Sequence, residues 1–119
     1  MLLGSLLAPH AVSLRAQTMA ATLFVEVKDQ SGALLPDVTI TLTDQQTALM
    51  REGTTSSSGL LVIPLLTAGT YTLQAEREGF KTEIVRDVAV QAGVRGSVTL
   101  VLVPGSITEQ VVISADLTT

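Results

Sequence analysis

From Thr22 onward, hydrophobic and polar residues alternate with a period of two along most of the chain. In TLFVEVKD (22–29), Leu23, Val25 and Val27 share one face, while Phe24, Glu26 and Lys28 share the other. DVTITLTD (37–44) repeats the pattern, with Val38, Ile40 and Leu42 inward and threonines outward. β-Branched residues dominate, and they suit a half-buried pleated surface better than a helix. TALMREG (47–53) is a weaker strand suited to an edge. The most apolar stretch, SSSGLLVIPLLTAGTYTLQAEREGF (56–80), would pass for a buried helix were it not cut by Gly59, Pro64 and Gly69. It reads instead as a strand over 59–63, with Leu61 and Ile63 facing together, ended by Pro64, which cannot donate to a ladder. A loop comes next, with Leu66 tucked beneath it. There Gly69 is expected to supply a backbone shape that a Cβ would resist. The chain then returns over 70–76 with Tyr71, Leu73 and Ala75 inward.

Two further strands, 83–90 and 96–103, are parted by QAGV. Val98, Leu100 and Leu102 form the inner face of the second. Val101 and Val103 make its outer face apolar as well, which points to a second surface to be covered. Turn signals recur about every ten residues. DQSG (29–32) has Asp first and Gly fourth, as a type I turn prefers, and EGF (78–80) turns the chain again. No segment has helical periodicity. Seven short strands so punctuated predict an all-β sandwich. Its structural anchors are Gly32, Gly59, Leu66, Gly69, Tyr71, Gly79 and Phe80. Beyond Pro104 and Gly105, residues 106–119 form an eighth extended segment, expected either to be mobile or to pair with an edge of its own sheet or of a neighbouring molecule.

The order of these motifs resembles a known family. V-x-D-Q-S-G-A-L-L-P (27–36), V-T-I-T-L (38–42), S-S-S-G-L-L-V-I (56–63), L-x-A-G-T-Y-T-L (66–73) and E-G-F (78–80) are similar to carboxypeptidase regulatory-like domains. The resemblance covers residues 22–103 and implies a seven-stranded transthyretin-like (prealbumin-like or Ig-like) sandwich, also called a carbohydrate-binding-like fold. The variant it most resembles stands at the N-terminus of TonB-dependent outer-membrane receptors. T-E-Q-V-V-I-S-A (108–115) is similar to the segment that leads from such a domain into the receptor plug. The implied organisation is a leader over 1–17, a sandwich over 20–103 and an extended tail over 104–119. Two positions depart from the family pattern: Asp37 stands where Gly is frequent, and Ser56 or Ser57 where an acidic residue is frequent.

Composition narrows the function classes. The 119 residues suffice for one domain with its own core. Seven Lys and Arg against eleven Asp and Glu give a net charge of −4 with the signs interspersed, so no basic stripe is available for nucleic acid. The leader MLLGSLLAPHAVSLRAQ has a short apolar run, then Ala11-Val12-Ser13 in the small-x-small pattern of a signal-peptide cleavage site, though no basic residue precedes the run. Read as a signal peptide, it predicts an extracytoplasmic setting, which the resemblance to receptor extensions implies is the periplasm or outer membrane of a Gram-negative bacterium. The alternative is a disordered leader with Met19 as the true start.

Catalytic groups are scarce. Cysteine is absent, and the one histidine, His10, lies in the leader, so neither a Ser-His-Asp triad in the body nor a His/Cys zinc site is expected. Asp29, Asp37 and Asp44 flank the first two strands and would serve calcium only if they converged at one end; otherwise they are ordinary turn residues. An isopeptide crosslink of the kind found in similar adhesin sandwiches would need Lys28 or Lys81 with an aspartate, since asparagine is missing. Glycan binding is the alternative to a protein-contacting role, but Tyr71 and Phe80 read as core anchors and only Phe24 faces outward. No cofactor is expected. The expected partner is a receptor plug, a barrel or another envelope protein.

Overall fold

The computed structural model describes residues 19–115, so the leader and its cleavage motif lie outside the described residues. The strands are β1 (Ala21–Asp29), β2 (Thr39–Asp44), β3 (Met50–Thr54), β4 (Leu60–Leu66), β5 (Gly69–Glu76), β6 (Thr82–Val90), β7 (Arg95–Leu102) and β8 (Gln110–Ser114). They form a three-stranded sheet in the order β4-β1-β7 and a five-stranded sheet in the order β3-β2-β5-β6-β8. The predicted all-β sandwich is present, with eight strands among the described residues rather than seven. Residues 110–114 supply the extra one and pair with an edge of their own sheet.

Alternation builds the core. Leu23, Val25 and Val27 from β1 and Val98, Leu100 and Leu102 from β7 meet Ile40, Leu42, Tyr71, Leu73, Ala75, Val85 and Val88 from the larger sheet, all of them buried. β1, β2, β5 and β7 thus give alternate side chains to one interior, the arrangement in which apolar area is removed from water without stranding the backbone.

The reading of 56–80 as strand, loop and strand holds, with two corrections. The strand does not stop at Pro64; β4 runs on to Leu66, which is buried and pairs with Ala21 instead of lying under a loop. Proline is tolerated because β4 is an edge strand and the register shifts between Ala21 and Leu23, opening a bulge that needs no donor at Pro64. The left-handed residue of this corner is Leu65 (φ 58°), not Gly69, which opens β5 and is absent from the residues at positive φ. Gly32, Gly59 and Gly79 do have positive φ, and so does Asp37 (φ 60°), the position where the family pattern often carries glycine.

A buried hydroxyl joins the first corner to the larger sheet. Thr55 accepts a hydrogen bond from the Val38 amide at 2.9 Å and donates one to the Leu35 carbonyl at 2.8 Å. Its backbone exchanges bonds with Asp37 and Val38. Replacing the hydroxyl by a methyl of similar size strands two buried backbone groups. Thr55→Val is therefore expected to cost about 2–3 kcal/mol in urea unfolding, and a loss under about 0.5 kcal/mol would contradict the pairing.

Candidate interaction surface

Asp29, Asp37 and Asp44 do not converge at one end, the condition on which calcium binding depended. Asp29 ends β1, and Asp37 precedes β2 near the same end of the sandwich, whereas Asp44 closes β2 at the other end, roughly 20 Å along the strand direction. The carboxylates of Asp29 and Asp44 are each engaged by their own turns. Asp29 Oδ1 accepts bonds from the Ser31 amide, the Ser31 hydroxyl and the Ala33 amide, and the Ser31 hydroxyl is the leading cause that holds its pKa below the usual aspartate value. Asp44 Oδ1 accepts from the amides of Gln46 and Thr47. Among the described residues, no group of three or more His, Cys, Asp or Glu is placed to hold a metal ion. No buried side-chain polar atom among them lacks a hydrogen-bond partner.

Glu83 is the one buried carboxylate among the described residues. It sits in β6 opposite Ala75 and beside Val111, on the face that carries Val85 into the core. Burial pushes its pKa above the ordinary glutamate value. A raised acid pKa means that the folded state holds the proton more tightly than the unfolded chain. The resulting stability is complete below the unfolded pKa and is lost as pH rises through the folded one. Glu83→Gln is therefore expected to raise the melting temperature at pH 7, with the gain disappearing by about pH 4. An equal gain at both pH values would contradict this.

The aromatic rings offer little to a sugar. Tyr71 is buried, and its hydroxyl donates to the Thr67 carbonyl at 2.7 Å. Phe24 and Phe80 are half-buried. Each has a guanidinium over its face, Arg95 at 5.6 Å from the Phe24 centroid and Arg77 at 5.9 Å from that of Phe80. A stacked pyranose would have to displace the arginine.

Three surfaces remain for contact. On the outer face of the smaller sheet, Phe24 lies opposite Val62 and Glu26 opposite Leu60, with Val101 beside Lys28; Leu60, Val62 and Val101 are exposed. This is the apolar outer face foreseen from Val101. At the β3–β4 side, a groove of about 350 Å³ is lined by Leu49, Met50, Leu65 and Tyr71. Arg51, which also lines it, donates to the Pro64 and Leu65 carbonyls. Sequence alternation could not find this groove, since Leu49 lies in a turn and Leu65 is turned outward by its left-handed backbone. The third surface is the edge of β8, which no strand among the described residues covers, and where Val112 and Ile113 are exposed on opposite faces.

The family model for the carboxypeptidase regulatory-like domain matches residues 22–103. Among solved structures, a Bacteroides uniformis protein described as carbohydrate binding superposes with a TM-score of 0.60 at 19% identity, over 71% of this chain and 41% of its own. The Bacillus anthracis TIE protein does so at 0.60 and 14% identity, over 72% and 17% of the two chains. Catechol 1,2-dioxygenase from Acinetobacter radioresistens matches at 0.57 and 11% identity, over 88% of this chain and 60% of that one. At these identities the likeness is one of fold. In each case the chain spans less than two thirds of the neighbour. No curated protein gives a significant match.

Proposed function

Because this chain belongs to the carboxypeptidase regulatory-like domain family, we propose that it acts outside the cytoplasm as a non-enzymatic β-sandwich module, the N-terminal extension of a TonB-dependent outer-membrane receptor, serving in spacing or protein docking. The observation that supports this reading is the path of the chain out of the sandwich. Past β7, Pro104 bridges Phe80, the Lys81 amide donates to the Val103 carbonyl, and the T-E-Q-V-V-I-S-A segment runs along β6 as β8. A module left through a hydrogen-bonded strand fixes the position of any domain attached beyond it, as a spacer or docking unit requires. The carbohydrate-binding alternative is weaker, because the half-exposed rings are already covered by arginine.

Two readouts test the proposal. Sequencing the gene downstream of the Thr119 codon should reveal a plug and a barrel in frame; an immediate stop codon would remove the receptor reading. Intact-mass analysis of the protein from the periplasm of a Gram-negative host should give an N-terminus between Leu14 and Thr18. Full-length protein held in the cytoplasm would remove the extracytoplasmic one.

A further inference from the structure

The free edge of β8 is self-complementary, and we propose that it pairs with the same edge of a second copy of this chain, antiparallel about a two-fold axis through Val112.

The argument begins with hydrogen-bond direction. In a parallel ladder the N–H and C=O of one strand residue point to the same side, and successive residues alternate sides. The Thr82 amide donates to the Glu109 carbonyl, and the Ala115 amide donates to the Arg86 carbonyl. The register of Glu83 with Val111 and Val85 with Ile113 places those two residues in the same series. The odd-numbered residues therefore bond to β6, and Gln110, Val112 and Ser114 aim both of their backbone groups at the open side.

An antiparallel partner edge centred on Val112 matches this set completely. Val112 exchanges both bonds with its own copy, while Gln110 exchanges both with Ser114 and the reverse. The side chains fit the same axis. QVVIS reads polar, apolar, apolar, apolar, polar from either end. On the inner face Val111 of one copy meets Ile113 of the other, a close pair between apolar side chains. On the outer face Gln110 meets Ser114. No charged residue stands in the five-residue window, so no like charges oppose one another.

The edge also lacks the usual protection. It carries no lysine, proline or bulge, the devices that keep exposed strands from joining. Its inner face is only partly covered, since Val111 is half-buried and Ile113 is exposed. Two copies would bring Val111 and Ile113 of each into one apolar cluster and close a single ten-stranded sheet, since five strands come from each. An isologous contact of this kind stops at two. So short an interface gives a weak, concentration-dependent pair.

Sedimentation equilibrium of the 119-residue chain over a wide concentration range tests this, together with two variants of Val112. Val112→Lys sets two ammonium groups opposite each other on the axis. Val112→Pro removes only a donor that faces outward, and proline is tolerated there on an edge. The expected result is an apparent mass that doubles with concentration for the native chain and stays monomeric for both variants, each retaining the native strand signal in circular dichroism. A native chain that remains monomeric at the highest concentration overturns the proposal. So does a dimer that persists in both folded variants, and so does growth past two copies.

Discussion

Gly59→Ala is expected to destabilise the domain by about 3–5 kcal/mol, combining a left-handed backbone with a steric collision. Gly59 holds φ at 70°. A Cβ built there would lie 2.8 Å from the Val27 carbonyl oxygen, 2.9 Å from Leu34 Cβ and 3.0 Å from the Leu35 amide nitrogen. Two of these are backbone atoms engaged with each other, since the Leu35 amide donates to the Val27 carbonyl, and the Val27 amide donates to Gly59 itself. Nothing flexible is available to yield, and relief would break the crossing of β1 with the loop that leads to β2. Gly32 is the control. Its φ is 91°, but an added Cβ meets nothing within 4 Å, so Gly32→Ala should cost only about 1–2 kcal/mol of backbone strain. Urea unfolding of both variants checks the pair of values, and equal losses would show that the collision at Gly59 is absent.

Tyr71→Ala should cost about 3–5 kcal/mol, the loss of a large buried ring with a cavity left behind. That is a large share of the stability of a domain this size. The ring lies in β5 opposite Val88 and Asp44, and the hydroxyl is tied to Thr67 at the corner where β4 passes into β5. Tyr71→Phe keeps the ring and forfeits the hydroxyl bond, for about 1 kcal/mol. The two variants separate packing from hydrogen bonding in one chemical-denaturation series. A loss below about 1 kcal/mol for the alanine variant would place the ring outside the core.

The inward set of the sandwich was legible because Leu23, Val25, Val27, Ile40, Leu42, Leu73 and Leu100 lie at strand spacing along their segments, and strand periodicity admits one inside for such a pattern. Pro64 was misleading for a physical reason. A proline ends a central strand, but β4 is an edge with a bulge, and neither edge position nor bulge is written in local sequence. Gly69 misled in the same corner. Glycine permits a left-handed backbone without requiring one, and here an exposed leucine, Leu65, adopts it instead. Thr55 stands among threonines and serines that look like an ordinary polar turn, so its buried double hydrogen bond had no local signal. Asp37 did carry one: its departure from a position where glycine is frequent falls on a residue with positive φ. Asp29 and Asp44 were legible as turn residues, but that β2 carries Asp44 to the far end from Asp29 and Asp37 follows only from the strand's length. The pairing of β8 could not be read from QVVIS alone, since a five-residue apolar segment chooses its partner by which edge is open.

Residue-resolved hydrogen exchange in a dilute monomer reads β8 directly. The amides of Val111, Ile113 and Ala115 should be protected by β6, while those of Gln110, Val112 and Ser114 exchange at the rate of open backbone. Uniformly fast exchange from Gln110 to Ala115 would mean that the segment is a free tail, and both the rigid exit from the sandwich and its self-complementary edge would be wrong.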